Sequence, residues 1–247
     1  MLTIVFLSCE SDQDDERSST AVQFRFEHHW DNIGVSNADF NSIKFTNAFG
    51  NNLSIERLRY LISRITFTKP SGESLVLDGY KLIDLSENES LQFTTETPID
   101  LGTYTNVSFI FGFTNEDNTD GSYADLNSTS WNVPAMLGGG YHYMQLDGKF
   151  LNTLNSEAGY NYHAIRAADN PGANPTFPQD TFFRVDLGEI SISDNSTITI
   201  AMNIAQWFKD PHLWDLNVYN QMLMPNSAAQ ILMYQNGQNA FNLVSVE

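Results

Sequence analysis

His28, His29, His142, His163 and His212 are the five histidines of the chain, and three of them stand where an imidazole can be aimed at a metal ion. His142 lies in Gly138-Gly139-Gly140-Tyr141-His142-Tyr143-Met144-Gln145-Leu146-Asp147-Gly148. His163 lies in Tyr160-Asn161-Tyr162-His163-Ala164-Ile165. If residues 141–146 and 160–165 are strands of one hairpin turning within residues 151–155, the two histidines oppose each other, because their mean position, 152.5, falls in that turn. Opposed Cβ atoms in a sheet are about 4.5–5.5 Å apart, a distance from which two imidazoles can share one ion. His28 follows Phe24 and Phe26 at period two and so continues an inward face. Met144 shares the face of His142, two residues away. Imidazoles beside a thioether suit copper better than magnesium or calcium. The spacing therefore predicts that His28, His142 and His163 converge on one copper ion, with Met144 as a weak further ligand. The competing reading is that these are ordinary satisfied strand histidines, and a one-residue register slip would put His142 and His163 on opposite faces. His29 and His212 read as surface residues.

Cys9 is the only cysteine, so no disulfide can form within the domain. It closes an apolar run, Leu2 to Leu7, and Phe6-Leu7-Ser8-Cys9 reads as the end of a signal peptide whose cysteine becomes lipidated. The expectation is a lipid anchor at Cys9, and no other stretch reaches the roughly 18 apolar residues of a membrane span. Glu116-Asp117-Asn118-Thr119-Asp120-Gly121 has some character of a calcium loop, with Glu116, Asn118 and Asp120 as ligands. The twelfth position, where such a loop needs glutamate, is Asn127. No G-x-S-x-G, H-E-x-x-H or P-loop occurs, and no carboxylate pair stands out for acid–base work, so an enzyme is not expected.

The elements that must position these residues are mostly strands. The 247 residues are 41% hydrophobic, 17% charged and 13% aromatic, a balance that leans toward β-structure. Residues 22–28, 107–113, 141–146, 160–165, 182–187 and 198–204 read as strands, and the chain closes with another from Phe241. Asp78-Gly79 between two apolar runs signals a hairpin. The apolar residues of 53–67 fit a helix face or a strand equally. Residues 114–130 and 167–180 are polar loops. A helical turn is expected at 205–209 and a helix at 225–234, stopped by Asn236-Gly237. The fold class that follows is an all-β antiparallel sandwich with long polar loops and one or two short helices. Residues 1–9 form a signal-peptide remnant, 10–20 a flexible acidic tether and 21–247 a single domain. The net charge of −18 repels nucleic acid phosphates.

Several blocks in order resemble one known family. Phe24-Arg25-Phe26-Glu27-His28, Phe45-Thr46-Asn47-Ala48-Phe49-Gly50-Asn51 and Leu58-Arg59-Tyr60-Leu61-Ile62-Ser63 resemble its opening blocks. Gly140 to Gly148, Tyr160-Asn161-Tyr162-His163 and Asn239-Ala240-Phe241 resemble its later ones. From about Val22 to the end the chain is similar to the MbnP-like family of bacterial copper-binding envelope proteins. The resemblance implies an envelope location, at the outer membrane or cell surface, and copper bound through histidines that match His28 and His163. It also implies a tryptophan oxidised to kynurenine two residues before the first histidine, a position that here holds Phe26. Trp30, on the His28 face, is a lesser candidate for such modification, and His142 takes the third place only by its spacing. The function expected is sequestering, storing or delivering copper, in exchange with a redox or transport partner. The alternative is a metal-free surface module that binds glycans or proteins through Trp131, Trp207 and Trp214.

Overall fold

The computed structural model describes residues 18–247; Cys9 and most of the acidic tether lie outside the described residues. Two sheets face each other across an aromatic core. Nine strands carry the architecture: β1 (Gln23–Trp30), β2 (Arg57–Thr68), β3 (Tyr80–Asp84), β4 (Asn106–Phe111), β5 (Met144–Leu151), β6 (Glu157–Ala164), β7 (Phe183–Asp186), β8 (Thr197–Asn203) and β9 (Phe241–Val246). The larger, nine-stranded sheet is built on β2. One edge of β2 pairs with β3 and with Ser74–Val76, and the other with β4 and β5; β7 extends β4 and β6 extends β5. The five-stranded sheet runs β9-β8-β1 and adds two short strands, Ile33–Gly34 and Gln92–Thr94, to β1. All pairings are antiparallel except β1 with β8, which is parallel. That pair joins strands from the two ends of the chain, which leaves ample length for the crossover a parallel pair needs.

β2 explains why its sequence fits two patterns. It is central and covered on both faces over much of its length, with Leu58, Tyr60, Leu61, Ile62 and Ser63 all buried. A strand buried on both faces loses its polar–apolar alternation. A bulge at Arg64, whose φ is 48°, shifts the register against β4 between Ser108 and Ile110, and this brings Ile65 into helix-like spacing. The same bulge accounts for Asp78-Gly79. Ser74–Val76 and β3 do not pair with each other as a hairpin would; both pair with β2, on either side of the bulge. Gly79, at φ 86°, kinks one edge strand past that point.

The core between the sheets is aromatic. Phe26 of β1 meets Tyr60 and Phe109 at ring-centroid distances of 6.3 Å each. Phe241 of β9 meets Tyr60 at 5.6 Å and Phe109 at 5.5 Å, edge to face. Phe26 and Phe109, which are buried, each contribute roughly 1.5–3 kcal/mol, and Phe241 packs on them partly buried. The helix expected near the C-terminus runs from Ser227 to Gly237 (α2), capped by the Asn226 side chain, which accepts from the Ala229 N–H at 3.0 Å. A shorter helix, Ala124–Ser128 (α1), interrupts the first polar loop, and the expected turn at 205–209 is a 3-10 helix, Ile204–Phe208.

Candidate metal centre

Cross-strand partners share a face of a sheet, and this sorts the histidines. Arg59, Gln145 and His163 are successive partners across β2, β5 and β6, whereas Tyr60, Met144 and Ala164 line the other face. The Tyr60 face is the one packed against the smaller sheet. His28 is there too: its Nε2 is hydrogen-bonded to the Tyr60 hydroxyl at 3.1 Å, and it is buried. Burial, aided by the neighbouring His29, lowers the His28 pKa to about 3. His28 and Met144 are therefore separated by the large sheet from His163, and the structure does not bring them to one point with it. Phe26 is core, and Trp30 stacks on Phe45 at 4.9 Å and donates its indole N–H to the Thr46 carbonyl. His29 is partly exposed beside Glu27, and His212 meets Gln235 near the start of its loop.

His142 and His163 do meet, on the outer face, with ring centroids 5.2 Å apart at 83°. They do so without the expected register. His163 is paired with Gln145, three places along from His142. The chain bends at Tyr143, just before β5 starts, so the i, i+2 relation of His142 and Met144 is broken. Gly138, Gly139 and Gly140 all have positive φ and carry the chain back along Trp131 and Val133. Gly140 has no alternative there. A Cβ on it would lie 2.5 Å from Asn118 Oδ1 and 2.8 Å from the Asn118 carbonyl.

Each histidine has one ring nitrogen held by a hydrogen bond. His142 Nδ1 lies 2.8 Å from the Trp131 carbonyl, which only accepts, so Nδ1 carries the proton. Burial lowers the His142 pKa to about 4, the Trp131 hydrogen bond opposing it, so the ring is neutral and Nε2 is a bare lone pair. That lone pair faces Met224 Sδ at 3.2 Å. A thioether has no proton to give, so two lone pairs face each other in a partly buried place. His163 donates from Nε2 to Asp147 Oδ1 at 2.7 Å, so Nδ1 is the ring nitrogen that remains for a metal. Burial alone would raise the Asp147 carboxyl, but His163, Asn161 and the Arg57 charge hold it below the ordinary carboxylate value. A histidine whose far nitrogen is tied to a carbonyl or carboxylate is the usual arrangement behind a metal.

The supports are specific. The buried Gln230 amide of α2 donates to the His163 carbonyl at 2.8 Å and to the Leu223 carbonyl at 3.0 Å, so one side chain ties β6 to the loop carrying Met224. Trp131 forms the wall behind His142, its ring 5.8 Å away, and carries the Arg59 guanidinium on its face at 4.9 Å. Met224 escapes any local spacing argument because it is 82 residues from His142. Its one sequence signal is the Met222-Leu223-Met224-Pro225 run.

Among the described residues no three His, Cys, Asp and Glu side chains are arranged to hold a metal ion. The donor set that does form is mixed: two imidazoles and a thioether, with a carboxylate behind one ring. It fits a soft or borderline ion, and a gap of 3.2 Å between nitrogen and sulfur can be bridged by bonds of about 2.0–2.3 Å. Elsewhere, Glu116 and Asp117 are bound to Arg64, the Asn118 side chain accepts from the Tyr141 N–H at 2.8 Å, and Asp120 reaches the Gly140 N–H. Asn118 and Asp120 thereby brace the glycine turn under His142. Trp131, Trp207 and Trp214, the aromatics a glycan- or protein-binding module would present, are all buried.

A two-sheet sandwich with a histidine–methionine cluster on the outer face of its larger sheet defines the class of protein. The family model for MbnP matches residues 19–225, and the chain belongs to the MbnP family. Among solved structures it is similar to MbnP from Methylosinus trichosporium, with a TM-score of 0.55 at 12% identity over 79% of each chain; at that identity the likeness is one of fold. No curated protein matches the chain.

Proposed function

We propose that this protein binds copper in the bacterial envelope, with a lipid on Cys9 as its anchor, and holds one ion between His142, Met224 and His163 for storage or delivery. The observation that carries the reading is the approach of His142 Nε2 to the half-buried Met224 Sδ, 3.2 Å apart, with His142 Nδ1 already bound to the Trp131 carbonyl. Such an arrangement is unfavourable alone and favourable around a cation. His142 supplies a neutral imidazole whose orientation the Trp131 carbonyl fixes. His163 supplies a second through Nδ1, its ring held in place by the Asp147 carboxylate. Met224 supplies the soft donor that favours copper over the hard divalent ions. Copper, once bound, would provide a redox-capable ion that a transport or redox partner can draw on. Among the described residues no helix is long and apolar enough to cross a membrane, and family membership supports the copper assignment.

The test is competition titration with a chromophoric copper chelator. His142→Gln and Met224→Leu should each weaken binding by about tenfold or more, the effect of losing at least about 1.4 kcal/mol. His28→Leu and His212→Ala should leave it unchanged. Undiminished affinity in His142→Gln and Met224→Leu would refute the site.

A further inference from the structure

A groove of about 490 Å³ opens above His163, walled by Met136, Leu137, Met222, Met224, Pro134 and Pro225. Three of the seven methionines of the chain line it. Met224, which also lines it, lies against His142. The other two stand out in solvent, Met136 at 54% exposure and Met222 at 78%. One exposed apolar side chain needs no explanation; two exposed thioethers lining a groove that holds a third are another matter. Met222 is also held at φ 56°, a left-handed conformation that glycine or asparagine adopts at lower cost. Its neighbour Leu223 is fixed by Gln230, so the strained backbone presents the Met222 side chain at a set place.

The lining also contains no carboxylate, on a chain whose net charge is −18. A hard divalent cation is drawn to the acidic surface at large and finds nothing in this groove. Thioethers are uncharged and soft, and the ion they prefer is monovalent copper. Resting on the copper reading above, we propose that Met136 and Met222 are a capture relay for copper(I), passing it by ligand exchange along the groove to Met224, His142 and His163. One thioether bond forms as another breaks, and the ion stays monovalent, so no oxidant or reductant is needed. The groove thereby selects the oxidation state that enters, and the acidic remainder of the surface takes no part.

The experiment is anaerobic stopped-flow transfer from the coloured copper(I)–bicinchoninate complex to the intact protein, read as loss of colour. The Met136→Leu/Met222→Leu double variant keeps the apolar bulk and removes both sulfurs. It should load about tenfold more slowly, the effect of removing a contact worth about 1.4 kcal/mol in the rate-limiting state. Leu213→Ala, an exposed apolar side chain away from the groove, should load at the wild-type rate. Equal rates for wild type and double variant overturn the relay while leaving the site intact. Wild-type protein that withdraws no copper overturns the site and the relay with it. Silver(I), a redox-inert stand-in, supplies a second readout: it should shift the 13C-methyl NMR signals of Met136, Met222 and Met224, and not those of the core residues Met144, Met202 and Met233.

Discussion

Replacing His28 by leucine should reduce the acid sensitivity of the fold. The folded residue is 3% exposed, is hydrogen-bonded to the Tyr60 hydroxyl at 3.1 Å and has its pKa lowered to about 3 by burial and then by His29. In the unfolded chain the same imidazole titrates near its ordinary value of about 6.5. Between those values the unfolded state binds the proton and the folded state does not. Stability is therefore full above pH 6.5 and falls as the pH drops through that window toward 3. At about 1.4 kcal/mol per pH unit, His28 accounts for a loss of about 2 kcal/mol between pH 7 and pH 5. Urea denaturation followed by tryptophan fluorescence at both pH values would measure it, and His28→Leu should reduce the wild-type loss by that amount. At pH 7 the variant should itself be less stable by about 1–3 kcal/mol, because the buried Tyr60 hydroxyl loses its partner. Adding Tyr60→Phe removes the stranded hydroxyl, so the double variant should be destabilised by less than the sum of the single ones. A pH 7 to 5 loss in His28→Leu equal to that of wild type would show that His28 does not exclude the proton, and the reasoning from its burial would fail.

Three further outcomes follow from other parts of the molecule. Gly140→Ala should cost at least about 2 kcal/mol, combining a positive φ with displacement of Asn118, and should weaken copper binding because Tyr141 and His142 lose their seat; a near-neutral effect in thermal unfolding would contradict the role given to the glycine turn. Cys9→Ala should move the protein from the membrane fraction to the soluble one on cell fractionation, and a variant that still pellets with membranes would remove the lipid anchor from the account. Limited proteolysis of residues 114–130 should be the same with and without calcium, since Arg64 already holds Glu116 and Asp117; protection by calcium would show that the loop binds it after all.

The sandwich was legible because its strands alternate where one face is solvated, as in residues 22–28, and because turn residues punctuate them. β2 was not legible as a strand, since burial on both faces and a bulge erase the period. At the site, pattern placed His142 and His163 on neighbouring strands, but not in their register, because three successive positive-φ glycines take His142 off the ladder before β5 begins. Period two correctly turned His28 inward. It carried no information about which side of the larger sheet that interior was, and His28 and His163 lie on opposite sides of it. Met144 looked like the thioether ligand through a local rule that the bend at Tyr143 breaks. Met224 arrives from a distant loop, through hydrogen bonds made by Gln230 that no sequence periodicity encodes.

Anomalous diffraction at the copper edge from crystals of copper-loaded protein tests the central claim most directly. The expected result is one strong peak between His142 Nε2 and Met224 Sδ, adjoining His163 and lost in His142→Gln crystals. A peak beside His28 and Tyr60, or on the acidic surface with the His142–Met224 gap empty, would contradict it.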